Sequence, residues 1–275
     1  MRERSDAARS TDSHRLVPGN LHDTTMGGEV VRSKTPLLLL VCAVVLLLAY
    51  GGTVTSGYFS DVETSTDNVL RVKNAPLFGA ADSFAVLAYS TVTNANNAGG
   101  TVVTGDLGVS PGTSVTGFPP GTVTGTIHAG DAIAAQAQVD LTTAYADAAA
   151  RTPFTTVTGD TLGGLELDPG IYHGGALDLT GTLTLSGDEN DVWIFVAAST
   201  LDTAADSEVI LHGARAANVY WVVGSSATLG ANSIFKGNIM AYASITLYAG
   251  ADVEGRALAR TAAVTLNGNT ITRPA

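Results

Sequence analysis

The sequence predicts an all-β dominated chain wound as a parallel β-solenoid, with one long α-helix beside it. Three observations lead there. The dyad Thr-Leu returns at Thr184-Leu185, Thr200-Leu201, Thr228-Leu229, Thr246-Leu247 and Thr265-Leu266, at gaps of 16, 28, 18 and 19 residues by subtraction. Returns of roughly 20 residues are the range in which one solenoid coil closes and presents the same side chain one strand higher. Two runs, Val192-Trp193-Ile194-Phe195-Val196 and Val219-Tyr220-Trp221-Val222-Val223, are apolar at every position, as expected of strands buried on both faces. One alanine-rich stretch, residues 129–151, breaks the strand pattern: Ile133, Ala137, Leu141, Ala144 and Ala148 fall at helical spacing.

Each element follows from its residues. Asp131 is favourable near the start of the helix and Pro153 enforces its end. The helix needs a wall to lie on, and the doubly apolar strands supply it, with Ile239-Met240-Ala241 and Ala257-Leu258-Ala259 as later equivalents. Burying a side chain the size of Leu or Phe contributes roughly 1.5 to 3 kcal/mol, so four or five contacts would hold the helix firmly. A second strand per coil points Glu208, Lys236 and Glu254 outward and reads as a solvated face. A third carries the Thr-Leu dyads. Because neighbours along a strand point to opposite faces, its leucines go inward and its threonines outward.

Composition narrows the function classes. Hydrophobic residues make up 45% of the 275 residues, enough for a core, while charged residues are only 14%, below the usual quarter. The net charge of −11 is uneven: residues 1–60 hold six Lys/Arg against five Asp/Glu, and the remainder eight against twenty. Phosphate binding requires a basic stripe, so nucleic acid is not an expected partner. The single cysteine, Cys42, lies in the apolar run Leu37 to Ala49, which leaves the body of the chain without a disulfide.

Residues 1–35 read as a disordered polar N-terminal segment and 36–59 as a secretory signal or a membrane anchor, with Arg32 and Lys34 just ahead. The strictly apolar part is shorter than the roughly 18 residues that favour a spanning helix. Met26 offers an alternative start that places the two basic residues directly before the run. Residues 60–77 read as a linker and 78–275 as the folded domain. Gly57-Tyr58-Phe59-Ser60-Asp61-Val62-Glu63-Thr64 resembles the segment after the signals of exported archaeal and Gram-positive surface proteins, so the expected address is secreted or extracellular, with anchoring at the cell surface as an option.

His14, His22, His128, His173 and His212 show no ligand spacing, and His128 reads as a packing or capping residue at the helix entrance. Asp188, Glu189 and Asp191 read as a solvated turn rather than a calcium loop. No nucleophile elbow or phosphate loop occurs. The expectation is a non-enzyme with no cofactor.

Several segments together resemble the microbial ice-binding protein family: Phe84-Ala85-Val86-Leu87-Ala88, Val103-Thr104-Gly105-Asp106-Leu107-Gly108-Val109-Ser110-Pro111-Gly112, Gly117-Phe118-Pro119-Pro120-Gly121, Ile127-His128-Ala129-Gly130-Asp131, Pro169-Gly170-Ile171-Tyr172, Gly224-Ser225-Ser226-Ala227-Thr228-Leu229-Gly230 and Gly255-Arg256-Ala257-Leu258-Ala259. The resemblance spans about Phe78 to Pro274. It implies a right-handed parallel β-solenoid (β-helix) of triangular cross-section with one long α-helix packed alongside, in a secreted protein that adsorbs to ice. It carries over no individual binding residue.

Stacked threonines on strands about 4.7 to 4.9 Å apart, with alternate residues about 6.6 to 6.8 Å apart, form a grid whose spacings lie near oxygen repeats of hexagonal ice. A threonine offers a methyl and a hydroxyl that donates and accepts, and its χ1 is stiff. The candidate ice-binding residues are Thr182, Thr184, Thr200, Thr228, Ser244, Thr246 and Thr265, with Asp202 and Tyr248 as interruptions on the same wall. The partner is an ice crystal surface and the expected state a monomer. The rival reading is a non-catalytic surface adhesin or carbohydrate-binding solenoid, because a neutral threonine wall with Tyr248 could also meet sugar.

Overall fold

The computed structural model describes residues 74–95 and 100–274. The expectations for residues 1–73, including the apolar run and its cleavage or anchoring, lie outside them. Among the described residues, no helix is long and apolar enough to cross a membrane.

Each coil lays down three short parallel strands. In one, Val219–Val223 lies on the first wall and Ala227–Leu229 on the second; Ile234–Ala241 runs along the third and bends into the first wall of the next coil. Its first half pairs with Glu208 and its second half with Tyr220 to Val223. The bend falls at Gly237, stacked on Gly255 of the following coil. A β-carbon on Gly255 would collide with the Gly237 carbonyl oxygen, and one on Gly237 would stand 2.7 Å from the Trp221 indole nitrogen. Only glycine lets two coils turn this corner in contact.

Inside, Tyr172, Phe195, Trp221 and Phe235 form an aromatic stack, with Phe195 and Trp221 4.1 Å apart at 12°. Leu177, Leu201, Leu229, Leu247 and Leu266 pack beside them. Buried indole groups need acceptors: Trp193 donates to the Leu167 carbonyl and Trp221 to that of Lys236.

The helix, α1, occupies Ala132–Ala149, and the Asp131 carboxylate caps it by accepting from the Ala134 amide at 2.9 Å. That bond, together with His128 at 2.7 Å, holds the Asp131 carboxyl below its ordinary range. As expected, α1 lies on the doubly apolar wall: Ala137, Leu141, Ala144 and Ala148 pack with Val192, Ile194, Tyr220, Val222, Met240 and Leu258. Ile133 departs from expectation. It is 53% exposed while Ala134 is buried, because the inward stripe runs through 134, 137, 141, 144 and 148, one residue later at its start.

Stack order differs from chain order. Strand Phe84–Ala88 pairs with Asp252–Ala259, Thr91–Asn94 with Val264–Leu266, and Val102–Thr104 with Thr270–Thr272. The N-terminal coils are thus mounted on the last C-terminal coil and continue outward through Asp106–Val109, Ser114–Thr116, Thr122–Val123 and Ile127–Ala129. With 18 residues, α1 is roughly 27 Å long at 1.5 Å per residue. It carries the chain back along the wall to strand Thr155–Thr156, from which the remaining coils stack in sequence.

Arg256, 4% exposed, locks this junction. Its guanidinium donates to the Asp82 carbonyl and carboxylate and to Asn238 Oδ1, and it lies 5.0 Å over the Phe78 ring. Residues 76–79 and 273–274 meet here around a cavity of about 320 Å³, at the corner where the third wall bends into the helix wall.

Candidate functional site

The second wall is a separate sheet of seven strands: Leu177–Leu179, Leu201–Thr203, Ala227–Leu229, Ile245–Leu247, Val264–Leu266, Thr91–Asn94 and Ser114–Thr116. Strands this short fix one clear alternation. Leu201, Ala227, Ile245, Val264 and Val92 are buried in the core, so the residues flanking them point outward.

Register aligns those outward residues in two columns. One reads Asp178, Asp202, Thr228, Thr246, Thr265, Thr93 and Thr116 along the stack. The other, two residues earlier on each strand, reads Thr200, Ser226, Ser244, Ala263, Thr91 and Ser114. The Ser226 and Ser244 hydroxyls are hydrogen-bonded at 3.0 Å. From Thr228 to Thr116 these columns hold only hydroxyls, methyls and one alanine; the two aspartates sit together at the other end.

The wall brings together Thr228, Thr246 and Thr265, with Thr200 and Ser244 in the neighbouring column. It excludes Thr182 and Thr184. Those two lie on strand Thr182–Ser186, which pairs with Glu208–His212 so that Thr182 is opposite Glu208 and Thr184 opposite Ile210. They belong to the third wall, and their coil contributes Asp178 to the second. The dyad recurs there by coincidence of spacing: a return of 16 residues from Thr184 to Thr200 crosses from one wall to the next. Asp202 interrupts the grid as expected. Tyr248 stands at its edge, 54% exposed.

Sequence reasoning missed Thr91, Thr93, Ser114, Thr116 and Ser226. A usable signal was present. Ser226-Ala227-Thr228, Ser244-Ile245-Thr246, Thr91-Val92-Thr93 and Ser114-Val115-Thr116 share the pattern hydroxyl, aliphatic, hydroxyl, and that triplet marks the wall better than the Thr-Leu dyad.

Elsewhere, the Asp188, Glu189 and Asp191 segment forms a turn in which Asp191 Oδ2 accepts from the Asp188 amide at 2.8 Å. Among the described residues, no group of three or more His, Cys, Asp or Glu side chains is placed to hold a metal ion. His128 is buried, bonded to Asp131 and 5.4 Å from the Phe84 ring.

Comparison with known proteins bears on the folded body as a whole. A family model described as ice-binding-like matches residues 86–272. An ice-binding protein of Nostoc sp. (strain HG1) is 46% identical over 217 residues, 78% of either chain. One from Flavobacterium frigoris (strain PS1) is 34% identical over 71% of this chain and 75% of its own. The crystal structure of an ice binding protein from an Antarctic biological consortium superimposes with a TM-score of 0.71 at 46% identity, covering 79% of this chain and 97% of that one. That of the ascomycete Antarctomyces psychrotrophicus gives 0.68 at 45%, covering 72% and 98%. With the match running from the first strand mounted on the C-terminal coils to the last strand in chain order, the chain belongs to the ice-binding-like family.

Proposed function

We propose that this protein is an exported ice-binding protein of the antifreeze type, which adsorbs as a monomer to ice through its second wall. The observation that carries the reading is the unbroken column Thr228, Thr246, Thr265, Thr93 and Thr116, aligned strand by strand and flanked by a second column of small hydroxyl residues. Parallel strands at a fixed spacing hold these groups in a repeating grid, backed by fully buried Ile245, Val264 and Val92. Water ordered between the methyls and bonded to the hydroxyls takes up the grid's geometry and merges with a growing crystal. Charges would impose their own hydration, and from Thr228 to Thr116 the column has none. β-Branched side chains have few rotamers to lose at the interface, which favours adsorption.

Placing tyrosine at both Thr228 and Thr246 breaks the plane at its centre. Thermal hysteresis is expected to vanish while the far-ultraviolet dichroism and unfolding midpoint stay those of the wild type. Unchanged hysteresis in the folded double variant would move the site to another wall. Adsorption to a growing ice hemisphere, compared with retention on cell-wall glycans, separates ice binding from carbohydrate adhesion.

A further inference from the structure

The third wall is not uniform. Its outward positions in the middle coils carry Glu208, Lys236, Asp252 and Glu254 interspersed with Ile210 and Ile234, and Lys236 and Glu254 are paired at 2.8 Å. Beyond them the charges stop. Asp252 is followed in register by Thr270, Val102 and Thr122, and Glu254 by Thr272 and Thr104; Thr124 comes next, its amide bonded to the Val103 carbonyl. Thr104, Thr122, Thr124 and Thr270 are exposed, and Val102 and Thr272 half-buried. Val253, Ile271 and Val103 back this patch from inside. Two carboxylates border the patch: Asp252, which accepts from the Thr270 amide at 3.0 Å, and Glu254, in register with Thr272 and paired with Lys236.

These are the same coils that carry Thr265, Thr91, Thr93, Ser114 and Thr116 on the second wall. Buried polar groups at the strand ends bind the two walls at this corner. Asn269 donates to the Tyr248 and Ala251 carbonyls, and Asn94 to that of Gly117; Thr101 donates to Asn94 Oδ1 and accepts from the Gly268 amide. With Asn94, Asn269 and Thr101 each at most 2% exposed, the two walls keep one fixed orientation here.

We propose that the coils mounted at this end carry a second, smaller ice-contacting patch, centred on Thr104 and Thr272 with Thr122, Thr270 and Val102 around them. The inference rests on the reading of the second wall and extends it. A molecule adsorbed by its second wall presents this flank to the advancing front, and a stiff, uncharged grid there offers ice another plane to join. The charged middle of the same wall keeps its own hydration and stays in liquid.

The test uses the full chain as wild type, as Thr104→Tyr/Thr272→Tyr, and as Thr228→Tyr/Thr246→Tyr. Fluorescently labelled protein is overgrown into a single-crystal ice hemisphere, and hysteresis and unfolding midpoint are measured alongside. The wild type is expected to label two families of planes. The flank variant should lose one of them and show lower, not abolished, hysteresis at an unchanged unfolding midpoint. If tyrosine lowers that midpoint, lysine at the same two positions makes the same comparison. A folded flank variant with wild-type planes and wild-type hysteresis overturns the second patch and leaves the second wall's role standing. A wild type that labels no plane overturns both.

Discussion

Asp202 occupies in its coil the place that Thr228 holds in the next, and Asp178 lies beside it one coil further out. A carboxylate accepts hydrogen bonds but does not donate them, so the ordered layer proposed for the threonines would end at this pair. The usable grid therefore covers only part of the wall. Replacing Asp202 with Thr lengthens the column by one coil without touching the core, since the side chain is half-buried and points outward. Higher hysteresis at equal molar concentration is the expected outcome, read by nanolitre osmometry. A value equal to wild type would mean that the column's length does not limit adsorption. Tyr248 acts differently. It stands at the wall's edge, beside the grid rather than within it.

Among the elements, α1 was the most legible in the sequence. Its spacing named the face that packs, and Ala137, Leu141, Ala144 and Ala148 are all buried; only its first turn was misjudged, where a shift of one residue exchanges Ile133 for Ala134. Leu141 is fully buried between helix and sheet. Truncating it to Ala is expected to cost about 2 to 5 kcal/mol, measured as a lower urea midpoint. Hysteresis of the remaining folded protein should be unchanged, because the helix lies on a different wall from the grid. The doubly apolar strands were legible for the same reason: a run without polar positions can only be buried on both sides. Thr182 and Thr184 were not legible, since Thr-Leu-Thr-Leu alternates equally well on a charged wall and on a neutral one. Alternation reports which residues point outward; only hydrogen-bond register reports which wall they are on.

At the scale of the whole molecule, chain order conceals stack order. Thr93 and Thr265 are neighbours on the wall though 172 positions apart by subtraction, and no local pattern states that the first coils are mounted on the last. Arg256 holds that junction through Asp82 and Asn238. Replacing it with Met keeps an unbranched apolar stem and removes the donors. Several charge-assisted bonds are lost, and the expected cost is about 2 to 4 kcal/mol, as for a broken buried network. Hydrogen exchange should rise first in residues 84–94 and 102–109, ahead of the strands at 193–197 and 219–223. Uniform exchange across the stack would show that the junction is held elsewhere. Because those coils contribute Thr91, Thr93, Ser114 and Thr116, their loosening would also diminish hysteresis.

The corner where residues 76–79 meet residues 273–274 lies between the third wall and the helix wall, across the section from the threonine columns. A bead, dye or solid support coupled at that corner would accordingly sit clear of the second wall, and the folded body can be held there with its threonine columns facing a crystal.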